Sequence, residues 1–275
     1  MGWIVFGVIL LVIGIVAICM RQLSSQKRLD QLTRSGRQKI GEIVAAYQAT
    51  KQDLGEMGEE NTVGEEMTVM GMPKCDSPLI SPLGQKECLY YEMRVTAERI
   101  EHYTDTDSDG NTRQKTRRVT DTLDSSSNNT RFTLEDSTGS VLVDPRDGVF
   151  EDLVTTVDRS ETYVRSNSSR LSFGGFSLDL CNFNQYCGNT MPQTIKYEEK
   201  IIGLDRKVTV VGTLCDKMGD LMIQKNGKTK VIVSTKSPEE MVLAVKGQMK
   251  TQLIVAIACG AIGLILCIIG AVSSI

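Results

Sequence analysis

Two long apolar segments enclose a central region in which apolar and polar residues alternate. Residues 2–20 (GWIVFGVILLVIGIVAICM) and residues 253–272 (LIVAIACGAIGLILCIIGAV) contain no charged residue. Each is about as long as the ~20 apolar residues that a helix needs to cross ~30 Å of hydrocarbon. The pattern therefore predicts a transmembrane helix near each end of the chain.

Both apolar segments have an alternative interpretation. The first resembles a signal peptide, but it lacks a basic start, and no small-residue cleavage site precedes the charges that follow it. The second resembles a buried core helix, but an uncharged run of this length favours a membrane span. Gly7, Gly14, Gly260 and Gly263 permit close packing of the two helices, with lipid-facing glycine as the alternative.

Basic residues flank the central region on both sides. Six follow the first apolar segment and two precede the second: Arg21, Lys27, Arg28, Arg34, Arg37, Lys39, Lys246 and Lys250. Positively charged flanks stay on the cytoplasmic side of a membrane. We therefore expect a multi-pass protein of the cell membrane, with the central domain cytoplasmic and both termini outside. The lipid bilayer would be one partner, and other membrane or cytoplasmic proteins would be the rest.

Helical patterns join each apolar segment to the central region. Residues 21–62 repeat apolar residues at three- and four-residue spacing, which predicts a juxtamembrane helix and a linker. Residues 237–252 predict an amphipathic helix. In that helix Ser237 caps the start and Pro238 takes the first turn, while Glu239 and Glu240 favour the positive end of the helix dipole.

The spacing of apolar residues changes to two at Val63, which predicts a β domain over residues 63–236. "RFTLED" and "SVLVDP" flank a Ser-Thr-Gly turn, and "KNGK" is typical of a second hairpin turn. Six to nine short strands predict a small, mostly antiparallel, OB-like barrel. The expected fold class is an α+β membrane protein, in which two transmembrane helices flank this barrel-like domain and its juxtamembrane helices.

Residues 155–192 are rich in Ser, Asn and Gly and are predicted to be an insertion, with aromatic contacts onto the domain. This insertion is one of three candidate contact surfaces. The others are the loop Ser77–Glu87, which contains two prolines, and the polar segment Asp105–Arg118.

Net charge and cysteines exclude several classes of protein. The net charge of -3 does not indicate a nucleic-acid binder, and no nucleic-acid partner is expected. The eight cysteines form no C-x2-C pair, so neither a zinc site nor a disulfide framework is indicated. Cys181 and Cys187 remain a possible bridge.

Residues with potential chemistry are better explained as structure. The one histidine, His102, lies in a polar stretch, and no Gly-x-Ser-x-Gly or phosphate-binding glycine motif occurs. The acidic loop from Asp105 to Asn111 imitates part of a calcium loop but lacks its closing glutamate. Asp136 and Asp144 are expected to be turn residues. We therefore predict no catalytic, cofactor-binding or metal-binding residues.

Four segments together resemble the GIDE domain, also called BAM ("beside a membrane"). These segments are "SPLGQKECLYYEMRV", "RFTLEDSTGSVLVDP", "KYEEKIIGLDRKVTVVGTL" and "VIVSTKSPEEMVLAVKGQMKTQL". The resemblance extends from about residue 63 to the end of the chain. It implies kinship with mitochondrial-type membrane ubiquitin ligases, whose RING domain follows their second span. No such cysteine pattern occurs here, so a prokaryotic-type member without the RING domain is expected.

The resemblance and the residues together predict a membrane-anchored binding or scaffold module that is not an enzyme by itself. One alternative is an accessory of a ubiquitin-like modification or membrane quality-control system. The other is a sensor of a lipid or a small ligand.

Overall fold

The computed structural model describes residues 25–26, 28–30, 32, 39–54, 66–106, 108, 110–163, 169–183, 186, 192–217, 220–227 and 229–272. In chain order, the elements are α1 (Ile40–Leu54), β1 (Glu66–Lys74), β2 (Leu79–Ile80), β3 (Glu87–Thr106), β4 (Thr112–Asn129), β5 (Phe132–Glu135), β6 (Ser140–Val143), β7 (Val149–Glu151), β8 (Val154–Thr162), β9 (Arg170–Phe173), β10 (Phe176–Asp179), a 3-10 helix (Leu180–Asn182), β11 (Thr194–Gly203), β12 (Val208–Lys217), β13 (Asp220–Gln224), β14 (Ile232–Ser234) and α2 (Pro238–Val272).

Five of the strands close into a small barrel. Their order is β1-β5-β6-β13-β12, and β12 pairs again with β1. The β6–β13 pair is parallel, and the other four pairs are antiparallel. A closed five-stranded arrangement of this kind confirms the predicted OB-like barrel. Strands β14 and β7 extend the sheet beyond β12.

Strand β1 closes the barrel because it pairs with two neighbours in succession. Its residues from Glu66 to Gly71 pair with β12, and those from Met72 to Lys74 pair with β5. At the change of partner, a Cβ atom on Gly71 would lie 2.4 Å from the carbonyl oxygen of Glu135. Only glycine allows the backbones of β1 and β5 to approach this closely.

The barrel interior contains the main hydrophobic core; α1 packs against this core, and α2 packs against the outer face of β12. Side chains from all five barrel strands meet there, and Ile40 of α1 joins them with 1% of its surface exposed. Strand β12 is buried on both faces. Its Val210 faces the barrel core, and its Val211 packs with Met241 and Val245 of α2.

A second sheet is attached to the barrel. Its order is β2-β3-β11-β8, and β4 pairs with β3 on the same side as β2. One face is apolar, with Met93, Val95, Ala97 and Tyr197 in a second core. The side chains of β3 from Met93 to Ala97 alternate between this core and the opposite face.

Helix α2 begins as predicted and then continues without a break to Val272. The backbone N–H of Glu240 donates to Ser237 Oγ at 3.2 Å, and the N–H of Ser237 donates to the Glu240 carboxylate at 2.8 Å. These reciprocal bonds form a capping box. The predicted cap at Ser237 is confirmed.

The expected fold class needs one correction. Within the part of the chain that the structure describes, no helix is long and apolar enough to cross a membrane. The structure therefore supports the barrel but not the two transmembrane helices predicted at 2–20 and 253–272. The first segment and the side chains of 256–272 lie outside the described residues, as do Gly7 and Gly14.

The predicted insertion at 155–192 is more regular than its composition indicated. Residues 154–162 form strand β8 of the second sheet, and residues 170–179 form the β9–β10 hairpin. Leu171, Phe176, Leu180 and Tyr186 are buried against the second core, which confirms the expected aromatic contact onto the domain.

The change of partner along β1 makes Gly71 a sensitive position. We expect Gly71→Ala to destabilise the fold by about 1–3 kcal/mol, because the methyl group must displace backbone atoms of Glu135. Chemical denaturation followed by circular dichroism measures this change. Gly247→Ala is the control, since that glycine lies in α2 with no atom near the added methyl group, and it should not destabilise the protein. Equal behaviour of the two variants would contradict the proposed constraint.

Candidate functional site

The predicted contact loop Ser77–Glu87 is held tightly by its neighbours. The Glu199 carboxylate accepts hydrogen bonds from the backbone N–H groups of Leu83 and Gly84, at 2.6 Å and 3.0 Å. It also accepts one from the Thr156 hydroxyl at 2.7 Å. Glu199 is only 1% exposed, so these three donors replace the water that a buried carboxylate would otherwise need.

The opposite side of this loop touches the β9–β10 turn. The N–H of Gly175 donates to the Pro82 carbonyl at 2.8 Å, and a Cβ atom on Gly174 would lie 2.1 Å from the Leu83 carbonyl oxygen. Gln85 adopts a positive φ of 52°. The loop is therefore a rigid feature of the surface, and Ile80 within it is 53% exposed.

Cys88 follows this loop and has the wrong environment for a nucleophile. Burial raises the pKa of its thiol to about 11, and the negative charge of Glu199 adds to the effect. The thiolate form, which is the reactive one, is therefore scarce at neutral pH.

The predicted contact segment Asp105–Arg118 is the end of a two-stranded ribbon. Strand β11 begins opposite Glu98, and beyond that point the described residues of β3 and β4 pair only with each other. Arg117 pairs with Glu101 at 2.5 Å, Arg118 with Glu98 at 3.6 Å, and Lys115 with Asp105. Three of the four basic residues of β4 thus pair with acidic residues of β3, so most of the basic charge on the described part of the ribbon is paired.

The remaining residues considered for chemistry occupy structural positions. His102 is exposed on the ribbon. Asp144 is buried between Arg131 and Arg146, at 2.9 Å and 2.7 Å. Burial alone would raise the pKa of Asp144, but hydrogen bonds and charge from the two arginines hold it below its ordinary value. Cys187 lies outside the described residues, so its bridge to Cys181 stays a prediction.

The described residues contain no group of three or more His, Cys, Asp or Glu side chains that are placed to hold a metal ion. Asp105 of the acidic loop is paired with Lys115, and Asp107 and Asp109 of that loop are outside the description.

Asp136 and the turn between β5 and β6 support the start of helix α1. The Asp136 carboxylate accepts hydrogen bonds from the N–H groups of Thr138 and Gly139, as predicted for a turn residue, at 2.7 Å and 3.1 Å. Its second oxygen accepts the N–H of Ile40 at 3.0 Å, and Thr138 Oγ1 accepts the N–H of Gly41 at 2.9 Å. Side chains of the turn thus cap a helix almost 100 residues earlier in the chain.

These contacts set the charge state of Asp136. Burial alone would raise the pKa of its carboxyl group, but the hydrogen bonds from Thr138, Ile40 and Gly139 outweigh burial and lower the pKa from the ordinary value of 3.8.

A groove of about 690 Å³ opens beside this turn. Met70 and Met72 of β1 form its apolar part, and Lys39, Lys74 and Lys207 surround it. It lies where β1 leaves β12 and joins β5. Sequence patterns did not indicate this groove, because its residues come from four segments that are far apart in the chain.

A smaller groove of about 360 Å³ lies on the polar face of the second sheet. Its lining includes Ser125, Ser127, Arg94, Glu92 and Lys200, and the last two are paired at 3.5 Å. The lining is almost entirely polar, so the larger groove is the better candidate for a binding site.

The fold and these surfaces define a small barrel module with rigid loops and an open groove, a type of architecture often used for binding. A family model described as "GIDE: E3 Ubiquitin ligase" matches residues 100–269, which is more than half of the 275 residues. The chain therefore belongs to the GIDE family. Searches of curated proteins and of solved structures found no match.

Substitution of the buried Glu199 should loosen the contact loop. We expect Glu199→Gln to weaken the hydrogen bonds from the N–H groups of Leu83 and Gly84, because an amide has only one accepting oxygen. The loop should lose about 1–3 kcal/mol of local stability. Hydrogen exchange measured by mass spectrometry should show faster exchange across residues 81–86. Glu198→Gln on the exposed side of β11 is the matched control and should leave that exchange unchanged.

The contribution of Asp136 to the stability of the fold should depend on pH. Its folded-state pKa is lowered, so its contribution to stability is complete above the unfolded-state pKa and is lost as pH falls through the folded-state pKa. Asp136→Asn should reduce stability at neutral pH by about 0.5–2 kcal/mol and lessen the loss on acidification. Denaturant titrations between neutral and acid pH measure both effects. Asp205→Asn, at an exposed carboxylate, is the control. An unchanged pH profile in Asp136→Asn would contradict the assignment.

Proposed function

We propose that this protein is a non-catalytic binding or scaffold module that holds another protein for a ubiquitin-type modification system. Membership of a family described as E3 ubiquitin ligase supports the link to ubiquitin. The finer role, binding without catalysis, is our inference from the side chains described above.

The environments of Cys88 and His102 are the main support for a non-catalytic role. Ligases that form a thioester need a reactive cysteine, whereas Cys88 is buried and its pKa is raised to about 11. RING ligases use a zinc scaffold of paired cysteines and histidines, and the sequence contains no C-x2-C pair. The one histidine, His102, is exposed on the ribbon, and it lies fourteen residues after Cys88 in β3.

A sensor of a lipid or a small ligand is the second candidate function. The groove of about 690 Å³ beside Met70 and Met72 favours it, since its size is within the range of small-molecule sites. Native mass spectrometry of the purified protein tests this candidate, because a retained ligand would appear as a defined mass increase.

The expected location of the domain, at the cytoplasmic face of a cell membrane, stays a prediction. Labelling of intact cells with a reagent that cannot cross membranes tests it, using Lys207 and Lys230 as exposed targets.

The proposed function predicts different results in two assays. The purified chain should not accelerate the discharge of ubiquitin from a charged conjugating enzyme, whereas an active RING ligase in the same assay should. In living cells, cross-linking followed by mass spectrometry should join this chain reproducibly to another protein. Discharge by the chain alone would contradict the non-catalytic role. The absence of any reproducible protein cross-link would contradict the binding role.

A further inference from the structure

The groove beside β1 has an excess of positive charge. Three lysines, Lys39, Lys74 and Lys207, surround it, together with two carboxylates. One carboxylate, Asp136, is saturated by hydrogen bonds from Ile40, Thr138 and Gly139. These bonds hold its oxygens in the helix cap but leave its negative charge in place, so the three lysines exceed the two carboxylates by one positive charge.

The three lysines differ in how far they are paired. Lys74 is paired with Glu135, the second carboxylate. Lys39 is 3.7 Å from Glu42, but both side chains are largely exposed, at 64% and 70%, so that pair is weak. Lys207 is exposed and forms no ion pair with any residue that the structure describes. Lys39 and Lys207 can therefore pair with an acidic ligand.

The apolar part of the groove is small and consists of two methionine side chains. Met72 is 36% exposed and Met70 is half-buried. Methionine side chains are flexible and polarizable, and they adapt to varied apolar partners. Two methionines can cover one or two apolar side chains, whereas a lipid acyl chain would need a much longer apolar lining.

We propose that this groove binds a short acidic segment of a partner protein that also contains an apolar side chain. The apolar side chain packs on Met70 and Met72, and acidic side chains pair with Lys39 and Lys207. This inference rests on the proposed binding function and names the chemistry of its partner. Charge complementarity selects the acidic segment, and the methionines select its apolar residue.

The test uses the full chain and fluorescence anisotropy with labelled hexapeptides. The probe alternates glutamate and leucine, and the comparison peptides replace glutamate by glutamine or by lysine. We expect the acidic peptide to bind at least about tenfold more tightly than the other two, and its affinity to fall as salt is added. Equal binding of the glutamine peptide would overturn the role of charge.

Variants locate the binding site. Lys207→Glu and Lys39→Glu should each weaken binding of the acidic peptide by about tenfold or more. Lys230→Glu is the matched control, because Lys230 is also exposed and lies outside the groove, and it should change binding little. Met72→Thr tests the apolar contact without altering charge. Thermal melts of each variant verify that it is folded. Unchanged affinity in both groove-lysine variants would overturn the assignment.

Vesicles of phosphatidylglycerol and phosphatidylcholine provide the lipid comparison. Binding to these vesicles that requires Lys207, without binding of the acidic peptide, would overturn the peptide assignment in favour of a lipid headgroup. If protein cross-links persist in cells but the lysine variants bind peptide normally, the groove assignment fails and the proposed function stands. If no protein cross-link forms, the proposed function itself fails.

Discussion

The close approach of strands β1 and β5 at Gly71 is the constraint on which the barrel depends. Every strand of a closed barrel pairs with two neighbours, and β1 does so by changing along its length from β12 to β5. Gly71 lies at that change, where a side chain would collide with the Glu135 carbonyl. The same divergence of β1 from β12 opens the groove beside Met70 and Met72. Closure and groove therefore have a common geometric origin.

The buried carboxylate of Glu199 holds the contact loop against the second sheet. Glu199 lies in β11 at the edge of the second core, where an unpaired carboxylate would be costly. Its three donors come from the contact loop and from β8. The loop, the two strands and the β9–β10 turn consequently form one rigid assembly. A surface of this kind presents the same shape to every partner, which favours recognition over conformational switching.

Sequence patterns predicted those features that depend on neighbours along the chain. The strand alternation, the turn chemistry of Asp136 and the cap at Ser237 are local, and the structure confirms them. Contacts between distant segments left no local signal. The bond from Asp136 to Ile40 and the burial of Glu199 depend on tertiary packing. The strand β8 was missed because the polar composition of "TTVDRSET" resembles a loop. The two transmembrane helices were inferred from apolar runs, and the described structure does not support them.

The β5–β6 hairpin contributes both to the barrel wall and to the proposed binding groove. Its strands build the barrel wall, and its turn uses Asp136 and Thr138 to cap α1. Capping fixes the start of α1, and with it the position of Lys39 at the rim of the groove. Three lysines and two carboxylates line the groove, so one positive charge is in excess there and can attract an acidic ligand. The turn thus fixes one edge of the proposed binding surface, through the position of Lys39.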